Sequence, residues 1–457
     1  MCVPTTRLKI AQLSIRILPI MTASSCMMFT TRMAVSLVAT GMMESLSMDR
    51  SQFGFSISVY SIAYAGLIVL ASSFAARFQA RTALAAMIVA FACTSAGTAG
   101  VTSYAGLIGV RVVLGATQAA WIPTISSYNR QFFREHMSQA QSLSVSLGSS
   151  FAQVLPLGAG ILFAFRDYEK SWQYLFIIEA IPTLLLAPLV FFFLPSSPRG
   201  LAPGGLLSDP ERAWLLRKCD EEERLERNQN SGDLSSDGSE GKQPTSSSCG
   251  AFVRLLRDYR VGAIALISFL AFSASTGLKY WAPTIIAEAD YSEATAALLT
   301  IIPYCISSPV SIAYSYLADR SGMHLLFSML AQVVSTLGSV SVVLALRAAT
   351  PSVAFLILAF TTQITGSNCM YNSFVGYQSA VLPTSLFALG MAFINMFGSS
   401  GTIVGPFLVG YLVDRFSFAV AMASLTGLAI VALVLQALLY AVDSRRSRPL
   451  MLSAPDA

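Results

Sequence analysis

Residues 148–162, GSSFAQVLPLGAGIL, return 250 positions later as residues 398–412, GSSGTIVGPFLVGYL. Gly148 and Gly398, Ser149 and Ser399, Ser150 and Ser400, Pro156 and Pro406, Gly160 and Gly410, and Leu162 and Leu412 stay in register without a gap. A second pair supports the first. ARFQAR at Ala76–Arg81 and DRSGMH at Asp319–His324 both follow a long apolar run and align on Arg77 and Arg320. The chain holds one unit twice, in the same order.

What surrounds the repeat fixes its solvent. Of 457 residues 54% are hydrophobic and 12% charged, a balance that a soluble domain of this length could hold only by exposing large apolar surface. A helix needs about 20 apolar residues to cross the hydrocarbon layer. Twelve such runs follow one another, near 17–43, 53–75, 83–101, 105–129, 140–165, 172–194, 259–283, 294–316, 323–347, 352–376, 385–411 and 417–440. The short alternating segments of a membrane β-barrel are absent. The expected fold is an all-α membrane protein of twelve transmembrane helices in two six-helix halves, residues 1–200 and 255–445. A cytosolic linker at 201–254 joins them and a tail follows at 446–457. Two membrane halves in parallel order are the arrangement of proteins that rock one half against the other around a midplane site.

Basic residues set the orientation. Arg7, Lys9, Arg16, Arg77, Arg81, Arg130, Arg134, Arg445, Arg446 and Arg448 fall on one side of an even helix count, which the positive-inside bias assigns to the cytosol with both termini. The formal charge of +5 is this bias and carries no nucleic-acid signal. The first run is too long for a cleaved signal and contains Arg32, so it is read as a retained helix. The seven cysteines show no extracellular disulfide placement, and no metal-ligand spacing, cofactor motif or catalytic set appears, so an enzyme is not expected. Within the linker, Ser208-Asp209-Pro210-Glu211 is a helix start, and the helix it opens would lay Trp214, Leu215 and Leu216 on the membrane surface. Glu211 to Leu216 also spells an acidic dileucine pattern that a sorting adaptor could read, which would fit an endosomal or vacuolar membrane as well as the plasma membrane.

A charge inside an apolar run needs a partner or an aqueous cavity, since an arginine at the helix centre costs about 2.5–3.5 kcal/mol on insertion scales. Arg32 is such a residue, in CMMFTTRMAVSLVA, with no acid one turn away. Its planar fork matches a carboxylate ligand; the competing partner is Glu179, in the sixth run. Lys279 and Arg111 lie nearer the ends of their runs, where they either snorkel or reach the same ligand. Tyr64, Gln118, Ser149, Gln153, Asn368, Asn372 and Asn395 add uncharged polar groups at membrane depth, where interhelical hydrogen bonding competes with ligand binding.

Several motifs together are more specific. Gly277-Leu278, Tyr280-Trp281 and Pro283-Thr284-Ile285-Ile286, the exit Leu194-Pro195-Ser196-Ser197-Pro198, Asp319-Arg320-Ser321-Gly322, and Ile394-Asn395 leading to Gly398, Gly401 and Gly405-Pro406 resemble the anion:cation symporter family. That family is a branch of the major facilitator superfamily and covers sugar-acid permeases and organic-anion and phosphate carriers. The resemblance implies that its helix-one Asp-Arg pair falls on Thr31 and Arg32, its helix-two tyrosine on Tyr64, its helix-four Arg and Glu on Arg111 and Gln118, and its helix-eleven asparagine on Asn395. The anion-holding arginine, tyrosine and asparagine are kept, whereas the two proton-carrying carboxylates are Thr31 and Gln118, neither of which titrates. Ala76 likewise replaces the aspartate of the loop after the second helix, while Asp319 is kept. The resemblance therefore implies alternating access with Arg77, Asp319 and Arg320 at the gate, and a small organic anion bridging Arg32 to Lys279 and Asn395 without obligatory proton symport. A non-transporting receptor of the same fold and an exporter of amphipathic compounds are the alternatives.

Overall fold

The computed structural model describes residues 4–48, 50–152, 171–200, 258–287, 299–348, 352–383, 386–413 and 415–447, with a few positions between 212 and 224. Over their described residues all twelve apolar runs fall on helices. In chain order these are α1 (Pro4–Leu37), α2 (Arg50–Ala75), α3 (Ala80–Thr98), α4 (Tyr104–Phe133), α5 (137–152), α6 (Ser171–Phe193), α7 (Tyr259–Ala287), α8 (Ile301–Ser321), α9 (His324–Arg347), α10 (Val353–Val381), α11 (Phe387–Val413) and α12 (Phe418–Ser447). Ten of them pass a length-and-hydropathy test for crossing a membrane. The other two are α1, which carries basic residues, and α5, described only to residue 152. The continuation of α5, with Gln153, Pro156, Gly158 and Gly160, lies outside the described residues, as does most of the linker with its expected surface helix and Glu211–Leu216 pattern.

Two helices depart from their expected shape. At 34 residues α1 is about 51 Å long at 1.5 Å per residue, well beyond the hydrocarbon layer. It starts at Pro4 because the basic residues before the apolar run are themselves helix formers. The helical pattern of α4 breaks at Ala119 and Ala120. Pro123 explains this, since it has no N–H to donate to Ala119 and its ring crowds that carbonyl. In α5 the residues Ser142–Ser146 form a π turn, which re-aims the side chains that follow.

Each half has its own core. In the first, Trp121 and Phe91 meet edge to face at 5.7 Å inside a cluster drawn from α1 through α6. In the second, Met391, Val375 and Ile264 centre a cluster from α7, α9, α10, α11 and α12. Two methionines cross the seam: Met137 of α5 sits in the second core, and Met396 of α11 packs on the first. Lipid offers apolar helices no hydrophobic gain from pairing, so close association relies on small residues and interhelical polar contacts. The repeat supplies the small residues symmetrically. A Cβ on Gly148 would lie 2.9 Å from Ser25 of α1, and one on Gly398 would lie 3.0 Å from Phe272 of α7. The fifth helix of each half thus leans on the first helix of that half through matching glycines.

Candidate binding cavity between the halves

A cavity of about 190 Å³ opens at the seam, walled by α1, α2, α4 and α5 on one side and α7, α10 and α11 on the other. Arg32, Tyr64, Ser149, Lys279, Asn368 and Asn395 all face it, and no acidic residue lines it among the described residues. The polar remainder is hydroxyl: Ser146, Ser275, Thr276, Ser367, Tyr371, Ser399 and Thr402.

Arg32 is held by aromatic rings. Its guanidinium carbon is 5.0 Å from the Tyr60 ring centroid and 6.0 Å from that of Tyr64, and it interacts electrostatically with Tyr280 of α7 across the seam. A cation over a desolvated ring face gains about 2 kcal/mol, enough to offset much of the cost of its position. Tyr60 is fixed in turn. Its hydroxyl donates to Gln118 Oε1 at 2.6 Å, while Gln118 Nε2 donates to Thr31 Oγ1 at 2.8 Å and to the Met28 carbonyl at 3.3 Å. Thr31 closes the chain by donating to the Met28 carbonyl at 2.8 Å. The two positions where the resembling family carries acids thus touch each other, and an amide satisfies both sides of the contact without charge.

The other expected partners lie elsewhere. Glu179 makes no ion pair with Arg32; it is buried in α6, both its carboxylate oxygens lack a hydrogen-bond partner among the described residues, and it interacts electrostatically with Arg111. Arg111, expected near a membrane surface because it opens its run, is only 3% exposed. The reason is that α4 starts at Tyr104, which puts Arg111 two turns inside, behind the cavity wall. Gln118 and Asn372 also stand behind the wall, and Asn372 Oδ1 accepts from Ser146 on the π turn at 2.8 Å. Lys279 lines the cavity and has no hydrogen-bond or ion-pair partner among the described residues. Tyr60 escaped the sequence reading, although it stands one turn from Tyr64 on the same helix face, a spacing that could have flagged it.

At the arginine-rich end the halves are closed by a carboxylate. Asp319 Oδ1 accepts from the Ser138 amide at 3.1 Å and Oδ2 from the Gln139 amide at 2.8 Å, capping the first turn of α5 from the opposite half. His324 Nδ1 lies 3.2 Å from Ser138 Oγ. Nearby, the Arg130 guanidinium sits 4.4 Å from the Phe387 ring centroid at the start of α11. Arg77 and Arg320 are exposed.

A family model described as Major Facilitator Superfamily matches residues 20–375 and again residues 264–450. The chain belongs to the major facilitator superfamily. Within it, a protein of Agrobacterium vitis named as a tartrate transporter is 25% identical over 93% of this chain and 92% of its own length. A metabolite transport protein of Pseudomonas putida is 24% identical over 65% of this chain and 64% of its own. The fold matches the solved proton:xylose symporter with a TM-score of 0.71 at 16% identity, covering 92% of this chain and 94% of that one. It also matches the human organic anion transporter MFSD10 with a TM-score of 0.66 at 14% identity, covering 93% and 99%. A major facilitator protein with these relatives is a multi-pass membrane transporter and not an enzyme, and the relatives fit an anion-type permease.

Proposed function

We propose that this major facilitator protein carries a small organic anion by alternating access and does so as a facilitator or exchanger, without obligatory proton symport. The observation that carries the reading is the pairing of Arg32 with the neutral Thr31–Gln118–Tyr60 chain behind it. A guanidinium facing a cavity with no acid among the described residues of its wall favours a carboxylate, which its fork can grip with two hydrogen bonds. The residues that would trade a proton for that carboxylate are an amide and a hydroxyl, whose mutual hydrogen bonds leave nothing to titrate. The relatives' names, a tartrate transporter and an organic anion transporter among them, agree with the anion. The cavity's size speaks against an exporter of bulky amphipathic compounds, because drug-sized ligands occupy pockets of about 300–1,000 Å³.

In this reading the arginine-rich end faces the cytosol, in the plasma membrane or an endosomal or vacuolar membrane, and Asp319 closes that end while anion enters from the other. Uptake of labelled organic anions into vesicles holding the purified protein tests it, with wild type and Arg32→Ala compared with and without an imposed pH gradient. Arg32-dependent, saturable flux indifferent to the gradient is the expected result. Flux that requires the gradient removes the facilitator, and saturable binding without flux makes the protein a receptor.

A further inference from the structure

We infer that the cavity is a two-cation clamp built for a small dianion, in which Arg32 on the first half takes one carboxylate, Lys279 on the second half takes the other, and Lys279 sets the charge number of what is transported. This rests on the organic-anion reading above and adds the second charge to it.

The argument starts from where the two cations stand. They come from opposite halves and line the same cavity, Arg32 from α1 and Lys279 from α7, on either side of the surface along which the halves must close. Their surroundings differ. Arg32 has three tyrosines to stabilise it, whereas Lys279 has no partner among the described residues although it faces the cavity from the interior of α7. An ammonium loses hydration when the cavity shuts, so it must gain an anion at that moment or oppose the closure. Among the described residues no acid in the wall can serve. A monoanion on Arg32 leaves Lys279 bare; a dianion pairs both and pulls the halves together. Ligand charge then acts on the closing step more than on first binding, since a ligand shifts a conformational equilibrium only by its differential affinity for the two states.

Size and polarity narrow the ligand further. A volume of about 190 Å³ is roughly six water shares of about 30 Å³ each, which suits a dicarboxylate of four to six carbons. Asn395, Asn368 and the serine and threonine hydroxyls of the wall offer hydrogen bonds to hydroxyl groups on its backbone.

The test uses full-length protein in vesicles and three isosteric pairs: succinate, tartrate and glutarate, each against its half-amide, which keeps the size and removes one charge. In wild type the saturated transport rate of at least one diacid should exceed that of its half-amide by roughly tenfold or more, while the half-amide still competes for uptake. Lys279→Gln should lower diacid transport by a similar factor and bring the half-amide to parity, and Lys279→Arg should keep the diacid preference. If wild type carries both members of every pair at equal saturated rates, or Lys279→Gln slows both in proportion, the two-cation clamp is wrong and the anion reading stands. If no diacid or half-amide is carried, or raises the melting temperature of the purified protein, the clamp and the anion reading fail together.

Discussion

Replacing Arg32 with lysine isolates the fork from the charge. The ring contacts that hold the guanidinium, 5.0 Å over Tyr60 and 6.0 Å over Tyr64, accept an ammonium as readily as a guanidinium, so Arg32→Lys should remain charged and housed. What it loses is geometry. A guanidinium presents two parallel N–H groups to a carboxylate, whereas an ammonium acts as a point charge, so one charge-assisted hydrogen bond goes. Such a bond contributes about 1.5–3 kcal/mol, which corresponds to about a 10- to 150-fold loss of apparent affinity. Concentration-dependent uptake into vesicles, normalised to protein amount, should show this as a raised half-saturation with the saturated rate less affected. Arg32→Ala, which also loses the charge, should give no uptake at equal surface expression. Wild-type half-saturation in the lysine variant would refute the bidentate argument and leave Arg32 as a source of positive potential only.

Tyr60→Phe keeps the ring under Arg32 but leaves Gln118 Oε1 buried without its donor, at a cost of about 1–3 kcal/mol, so the melting temperature of the purified protein should fall even without ligand. Gly405→Ala should destabilise by about 1–3 kcal/mol, because its Cβ would run into the Ser273 carbonyl of α7, whereas Gly427→Ala, with open space around it, should match or exceed wild-type stability in the same melts. Asp319→Ala removes two charge-assisted bonds from the α5 amides, about 3–6 kcal/mol together, which is large enough to swing a two-state gate. A Ser149→Cys reporter, in a chain whose seven native cysteines are replaced, should then react faster with an impermeant thiol reagent applied from the arginine-rich side; an unchanged rate would dismiss Asp319 as the latch.

The fold was legible because membranes impose a length scale: twelve runs of the right length and a repeat in register leave few other arrangements. Arg32 was legible for the same reason, since a lone arginine in an apolar run stands out chemically. Tyr60 was not, because an aromatic residue in such a run has the composition of ordinary packing. Its role depends on Gln118, 58 residues away on another helix. Arg111 and Lys279 occupied similar places in the sequence, each a cation near a run's end. The fold separates them, putting Arg111 behind the wall beside Glu179 and Lys279 in the cavity, and that distinction depends on where each helix begins and how it is rotated, which no single run reveals.

The halves are alike in how they pack and unlike in how they are charged, and the difference bears on how such a protein could work without titrating groups. Gly148 and Gly398 make equivalent approaches to α1 and α7, so the scaffold keeps the symmetry that rocking requires. The site has lost it. On the first half a closed, neutral hydrogen-bond chain presents one fixed cation; on the second half a lysine lines the cavity with no hydrogen-bond or ion-pair partner among the described residues. The contacts at the arginine-rich end are equally one-sided, with Asp319 holding α5 from the second half while Ala76 offers no carboxylate from the first, and Arg130 stacking over Phe387. A proton-driven carrier needs a group whose charge changes during the cycle. In the proposed facilitator the charges that change partners would be those of the ligand, so ligand charge rather than proton binding would decide when the halves close.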